Sequence, residues 1–149
     1  MRQFSFWRKW LFIVALYHIV FGLTLAFFSQ SPLMDKMLNQ YFDPIFWPDN
    51  SPSSGTMHYK AWTSAVLGAV VASWAILIAF IAHYPFRLRE KWAWNSVTFA
   101  VLLWFAVDTG CSLYFDVGIN AMFNLFTLFL FALPLTFTRK YFHGRNESA

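Results

Sequence analysis

The stretch WLFIVALYHIVFGLTLAFF, residues 10–28, decides the fold class, because it contains no Asp, Glu, Lys or Arg. Similar apolar stretches follow at 61–84, 92–114 and 118–137. An α-helix needs about 20 residues to cross about 30 Å of hydrocarbon, and each stretch is near that length. The stretches are continuously apolar and do not alternate as barrel strands do. The sequence therefore predicts an all-α integral membrane four-helix bundle that forms a single transmembrane domain over residues 1–149.

Composition supports a lipid-facing protein. Hydrophobic residues make up 58% of the 149 residues and charged residues only 12%, which is more apolar surface than a water-soluble domain of this size buries. The net charge of +4 arises from short basic clusters beside apolar runs, a pattern that indicates membrane orientation and not nucleic-acid binding. The single cysteine, Cys111, excludes an internal disulfide, and no Cys and His residues have metal-ligand spacing. We expect no metal site.

The basic residues predict the orientation of the chain. Nine of the 11 lie before the first helix, between the second and third, or after the fourth: Arg2, Arg8, Lys9, Arg87, Arg89, Lys91, Arg139, Lys140 and Arg145. The other side holds only Lys36 and Lys60, with Asp35, Asp43, Asp49 and Asp116. The positive-inside rule then places both the N and the C terminus on the cytoplasmic side of the membrane, which we expect to be an inner membrane.

A long outer loop, residues 29–60, is predicted between the first two helices. Ser31 and Pro32 have the pattern of an N-cap and first helical residue, and apolar residues then recur at helical spacing, which predicts a short amphipathic helix on the outer surface. The following FDPIFWPDNSPSSG, residues 42–55, contains three prolines and predicts an irregular segment. Two roles stay open for it: a lid, or a cover for helix ends in the headgroup layer.

The polar residues inside the predicted spans are the candidate site. Asp108 lies about 24 Å above the inner boundary, in the same layer as Asn124, and an ionisable side chain in a span faces a partner or a cavity by default. Helical spacing places two polar faces at this depth, which we expect to form an outward-facing ligand-binding layer: Trp104, Asp108, Cys111 and Ser112 on the third helix, and Asn120, Asn124 and Thr127 on the fourth. The alternative is that Asp108 serves only to stabilise helix packing through hydrogen bonds.

His18 lies near the predicted midplane, about 13 Å beyond Lys9. A proton relay, a ligand contact and a packing role all stay open for it. Bis-histidine haem ligation needs a second histidine at the same depth, and His58, His83 and His143 lie at other depths. We therefore expect no cofactor.

Small residues form a stripe on the second helix: Ala61, Ala65, Gly68, Ala72, Ala75 and Ala79. Such a stripe permits close helix approach. It is interpreted as packing within the monomer, and a homo-oligomer contact is the alternative.

The order of elements, one helix, a long outer loop and three closely spaced helices, resembles DoxX-like bacterial proteins. The segment HYPFRLREKWAWNSVTFAVLLWFAVDTGCSLYFDVGINAMFNLF, residues 83–126, also resembles uncharacterised four-helix bacterial membrane proteins of this size. The layout is more distantly similar to that of emopamil-binding sterol isomerases, whose distinctive motifs this chain lacks. These resemblances imply the fold and assign no catalytic residue.

Three functions follow as hypotheses. The first is non-catalytic binding of a hydrophobic or amphipathic small molecule, or of a membrane partner, through the outer polar layer, since no nucleophile, metal set or cofactor motif is recognisable. The second is an enzyme on a lipid-soluble substrate with Asp108 as general acid or base. The third is an accessory subunit of a larger membrane complex. Membrane lipids are expected partners in all three.

Overall fold

Helices account for nearly all of the computed structural model, which describes residues 2–48 and 52–143. The long helices are α1 (Arg2–Phe28), α4 (Ser54–His83), α5 (Lys91–Tyr114) and α6 (Gly118–His143). Between α1 and α4 lie the short α2 (Pro32–Met34), a π-helical turn (Asp35–Asn39) and α3 (Gln40–Phe46). The four long helices are each long and apolar enough to cross a membrane, which suggests a membrane protein. This confirms the prediction of an all-α chain with four long apolar helices, compatible with a helical bundle.

The helices extend past the predicted apolar stretches. α1 begins at Arg2 instead of residue 10, α4 begins at Ser54 instead of residue 61, and α6 continues to His143 instead of ending at residue 137. Hydropathy marks where the apolar side chains end, whereas a helix ends where its backbone hydrogen bonds end. Polar residues such as Arg8 and Lys140 do not interrupt those bonds, so the helices continue through them.

The segment between α1 and α4 is more helical than expected. Ser31 caps α2 by accepting a hydrogen bond from the Met34 backbone N–H, with Pro32 at the start of the helix, which confirms the predicted cap. α3 continues through Pro44 to Phe46, so the first part of the segment predicted to be irregular, residues 42–46, is helical. Ser53 accepts a hydrogen bond from the Thr56 N–H and so caps α4. The end of the predicted loop, residues 54–60, is therefore the first part of α4. Asp49 and Arg145, both used in the orientation argument, lie outside the described residues.

The chain forms two compact units. The central unit comprises residues 17–75: the second part of α1, the α2–α3 segment and most of α4. The terminal unit comprises residues 2–16 and 76–143: the start of α1, the end of α4, and the α5–α6 pair.

In the central unit, α1 and α4 cross in backbone contact. A Cβ atom placed on Gly22 would lie 2.6 Å from the carbonyl oxygen of Gly68 and 2.7 Å from the backbone nitrogen of Ala72. A Cβ atom on Gly68 would in turn meet the backbone of Gly22 and Ala26. The small-residue stripe on α4 therefore packs against α1 within the monomer at this crossing, and only glycine fits at its centre.

Polar contacts tie the α2–α3 segment to the helices of the central unit. Lys60 of α4 forms an ion pair with Asp43 of α3. The Asn39 side-chain amide donates to the carbonyl oxygen of Ser29 at 3.1 Å, and the Gln30 amide donates to that of Met57 at 3.3 Å. The segment is thus anchored at several points along its length.

An aromatic cluster closes one end of the terminal unit. Phe4 of α1 lies against Phe86, in the connection between α4 and α5, and against Phe142 of α6, with ring centroids 6.2 Å and 5.9 Å apart. The guanidinium of Arg89 lies 5.1 Å from the Phe4 ring and 5.7 Å from the Tyr141 ring. The start of α1, the α4–α5 connection and the end of α6 therefore meet at the same end of this unit.

Pro134 determines how α1 binds α6. Proline has no N–H, so the carbonyl oxygen of Leu130, four residues earlier, receives no helical bond from this position. The indole Nε1 of Trp10 donates to that oxygen at 3.1 Å. The indole of Trp94 on α5 also donates to a carbonyl oxygen of α6, that of Leu135 at 2.9 Å, which the missing N–H of Pro134 does not affect. The Leu130 carbonyl oxygen, which Pro134 leaves without a helical hydrogen bond, therefore accepts a hydrogen bond from α1.

Candidate functional site

A tight turn brings the polar faces of α5 and α6 together. Asp116 adopts a left-handed conformation with φ 59°. The backbone N–H of Val117 donates to the Ser112 carbonyl oxygen at 2.8 Å, and that of Asp116 donates to the Leu113 carbonyl oxygen at 3.2 Å. This is a Schellman motif, which ends α5, and α6 starts two residues after Asp116. Residues near the end of α5 therefore face residues near the start of α6.

The carboxylate of Asp108 is the centre of the site. Its Oδ2 accepts a hydrogen bond from the Trp104 indole at 3.1 Å. Its Oδ1 lies 2.7 Å from the Asn120 amide nitrogen, 3.0 Å from that of Asn124 and 3.2 Å from the Ser112 hydroxyl. The indole and the two amides are donors, and the Ser112 hydroxyl divides its single proton between Asp108 Oδ1 and the Asp108 carbonyl oxygen, which lies 2.7 Å away. An ionised carboxylate is purely an acceptor, so the arrangement is complementary to it.

The two asparagines are held in one orientation by this network. The Asn120 amide nitrogen also lies 2.8 Å from the Ser112 hydroxyl, and that of Asn124 lies 3.2 Å from the Thr109 hydroxyl. Each amide nitrogen therefore has two hydrogen-bond partners. The amide oxygens, which are acceptors, point away from Asp108.

Burial differs across the site. Ser112 and Asn124 are buried, with 7% and 4% of their surface exposed. Asp108, Trp104 and Asn120 are only partly buried. The network is thus closed on its α5–α6 side and can be reached from outside at Asp108.

The structure brings together five of the six predicted site residues: Trp104, Asp108, Ser112, Asn120 and Asn124. The sixth, His18, is buried on α1 in the central unit, where its ring lies against that of Tyr17. Cys111, predicted to share the α5 face, is exposed. Its position three residues after Asp108 places it at the border of that face.

Thr109 belongs to the site but was not predicted. It directly follows Asp108, and adjacent helical residues point about 100° apart, so face counting does not select it. Its contact depends on the angle at which α6 packs on α5, which the sequence does not specify. A threonine beside the one aspartate of a long apolar helix is the signal that indicates it in retrospect.

The chemistry available at the site is that of hydrogen bonding. In the part of the chain that the structure describes, no three His, Cys, Asp or Glu side chains are grouped so as to hold a metal ion. The site offers one carboxylate, two amides, two hydroxyls and one indole. These groups are suited to binding and orienting a polar head.

No family model matches this chain, and no curated protein or solved structure is significantly similar to it. The site is therefore interpreted from its own geometry.

Proposed function

We propose that the chain is a multi-pass inner-membrane protein that binds a hydrophobic or amphipathic small molecule without catalysis, through the polar layer around Asp108. The observation that carries the proposal is the partly exposed carboxylate, which accepts hydrogen bonds from the Trp104 indole and from the amides of Asn120 and Asn124 between two long, mainly apolar helices. An ionisable group within a membrane span is costly and usually functional. Here the Asp108 carboxylate is held in position by hydrogen bonds and is still partly exposed.

The proposed orientation, with both termini in the cytoplasm, is supported by the aromatic cluster of the terminal unit. Three basic segments, which contain Arg2, Arg89 and Lys140, meet at that end of the unit. A shared basic end fits the positive-inside rule, in which all three segments face the cytoplasm.

Orientation is tested with single cysteines in a Cys111→Ser background. Spheroplasts carrying Lys36→Cys or Lys140→Cys are treated with a membrane-impermeant maleimide. We expect labelling at position 36 in intact spheroplasts and at position 140 only after lysis. Labelling of position 140 in intact spheroplasts would contradict the orientation.

Binding is tested by gentle purification followed by native mass spectrometry. We compare the wild type with Asp108→Asn, and with Asp116→Asn as a control that makes the same chemical change at an exposed aspartate outside the network. A co-purifying small molecule should remain with the wild type and with the control and be lost from Asp108→Asn. If Asp108→Asn retains every bound species, Asp108 serves only to stabilise helix packing.

The same spectra distinguish the two other hypotheses. An accessory subunit would retain a second protein chain, which the many exposed apolar side chains would also suit. An enzyme with Asp108 as general acid or base would yield a compound of altered mass when the released molecule is returned to the wild type.

A further inference from the structure

We propose that the ligand is an amphipathic molecule with a hydrogen-bond-donating cationic head, in chemical class a protonated primary amine on an alkyl chain. The inference rests on the proposed function and specifies its ligand. Two independent observations carry it: the acceptors that the site leaves open, and the charge of the surrounding chain.

The open groups at the site are acceptors. Asp108 Oδ2 receives one hydrogen bond from a described residue, that of Trp104, although a carboxylate oxygen can accept two. The Asn120 and Asn124 amide nitrogens each have two acceptors already, whereas their Oδ1 atoms accept from no other described residue. A ligand head must therefore donate.

Asp108 is only partly buried, so its carboxylate can be reached from outside the network. Among residues 2–48 and 52–143, no side-chain nitrogen or oxygen is both buried and without a hydrogen-bond partner. A head group that reaches Asp108 Oδ2 finds an open acceptor position on the carboxylate, which an N–H of a primary ammonium can fill and a trimethylammonium cannot.

Charge around the site favours a cation. From residue 92 to residue 138, the stretch that contains the whole network, the chain has no Arg or Lys, so no cation of α5 or α6 in that stretch neutralises Asp108. Such a carboxylate attracts an ammonium and repels an anionic head. Val107, next to Asp108 in the chain, is exposed and suited to an alkyl chain.

The test uses three probes of equal chain length in phosphatidylcholine nanodiscs: dodecylamine, dodecyltrimethylammonium and dodecanoate. The first provides charge and donors, the second charge alone, and the third an anion. Empty nanodiscs correct for partition into lipid. Binding is followed through the ¹⁵N indole resonance of Trp104, assigned with Trp104→Phe, because a head that shares Asp108 Oδ2 changes that hydrogen bond.

We expect dodecylamine to bind at least about tenfold more tightly than either of the other probes, since a charge-assisted hydrogen bond contributes about that factor or more. Equal binding of dodecylamine and dodecyltrimethylammonium, or tighter binding of dodecanoate, would overturn the inference and leave the proposed function standing. Binding of none of the probes, together with no co-purified molecule, would overturn both. The comparison within the wild type does not require any variant to fold.

Two variants then test whether the preference for dodecylamine depends on Asp108. Asp108→Asn should lose the preference for dodecylamine, and Asp116→Asn should keep it. If both variants keep the preference, the amine binds elsewhere and the assignment to Asp108 is wrong.

Discussion

Two helix pairs in this molecule are held together by opposite means. The α1–α4 crossing of the central unit has no side chain between its backbones at Gly22 and Gly68. The α5–α6 pair of the terminal unit meets through the hydrogen-bonded network around Asp108. For helices in lipid in general, burial of apolar surface gives little driving force, and close packing and hydrogen bonds are the main sources of stability. The comparison teaches that this chain joins one helix pair without any polar side chain, so the polar network of the other pair is a separate feature that calls for a role beyond packing alone.

The largest expected effect is at the α1–α4 crossing. Gly68→Ala places a Cβ against the backbone of α1, which cannot move like a flexible side chain, so the helices must separate. We expect a loss of about 3 kcal/mol in the free energy of unfolding, measured by denaturant titration in detergent micelles. The control is Gly110→Ala in α5, where a Cβ meets nothing within 4 Å and the change should be neutral or stabilising by up to about 1 kcal/mol. Equal stability of the two variants would show that the crossing is not close-packed.

The second effect is at the α5–α6 network. Asp108→Ala removes the common acceptor of Asn120 and Asn124, and we expect a loss of about 2 kcal/mol in the same titration. A double-mutant cycle with Asn124→Ala should give a coupling of about 0.6 to 1.7 kcal/mol, the range of interhelical hydrogen bonds in membranes. Zero coupling would contradict the observed contact.

The third effect concerns the bond from α1 to α6. Trp10→Phe should cost about 1 kcal/mol, because the Leu130 carbonyl oxygen loses its donor. In a Pro134→Ala background the new N–H of residue 134 reaches that oxygen, so the same Trp10→Phe change should cost less. Trp94→Phe, which removes an indole donor to the Leu135 carbonyl, serves as control: its cost should be the same in both backgrounds. A Trp10 cost that does not depend on residue 134 would contradict the role given to the proline.

The smallest effect is at the turn that positions the network. Asp116→Gly relieves the cost of a left-handed conformation, and we expect a stabilisation of about 0.5 to 1 kcal/mol by thermal unfolding in micelles. Asn tolerates this conformation almost as well as Gly, so Asp116→Asn should lie between the wild type and Asp116→Gly. Destabilisation by glycine would indicate that the Asp116 side chain has contacts of its own.

Much of the fold could be predicted from the sequence. Continuous apolar runs indicated the four long helices, because length and hydropathy suffice for that inference. Helix ends were less accurate: residues 2–9 and 138–143 are polar enough to end a hydropathy run, yet their backbones continue the helix. The Ser31 cap was recognisable because Ser followed by Pro has a local physical meaning.

The part of the site that depends only on the depth of each residue along its helix was predictable. Counting residues from the ends of the spans placed Asp108 and Asn124 in one layer, and the structure puts them 3.0 Å apart. Contacts that depend on helix rotation and crossing angle were not predictable. The stripe on α4 was visible in the sequence, but its partner Gly22 was not, and Pro134 gave no indication that Trp10 would bind the carbonyl it releases.

That last bond has a consequence for biosynthesis. Trp10 and Leu130 are separated by 120 positions in the chain. The contacting residues Phe4 and Phe142 are likewise far apart in the sequence. Trp10 and Phe4 are translated long before Leu130 and Phe142. The start of α1 therefore lacks these contacts until α6 has been translated. The central unit is continuous in sequence and does not have to wait. Assembly therefore has a built-in order: the middle of the chain can pair first, and the two ends join last.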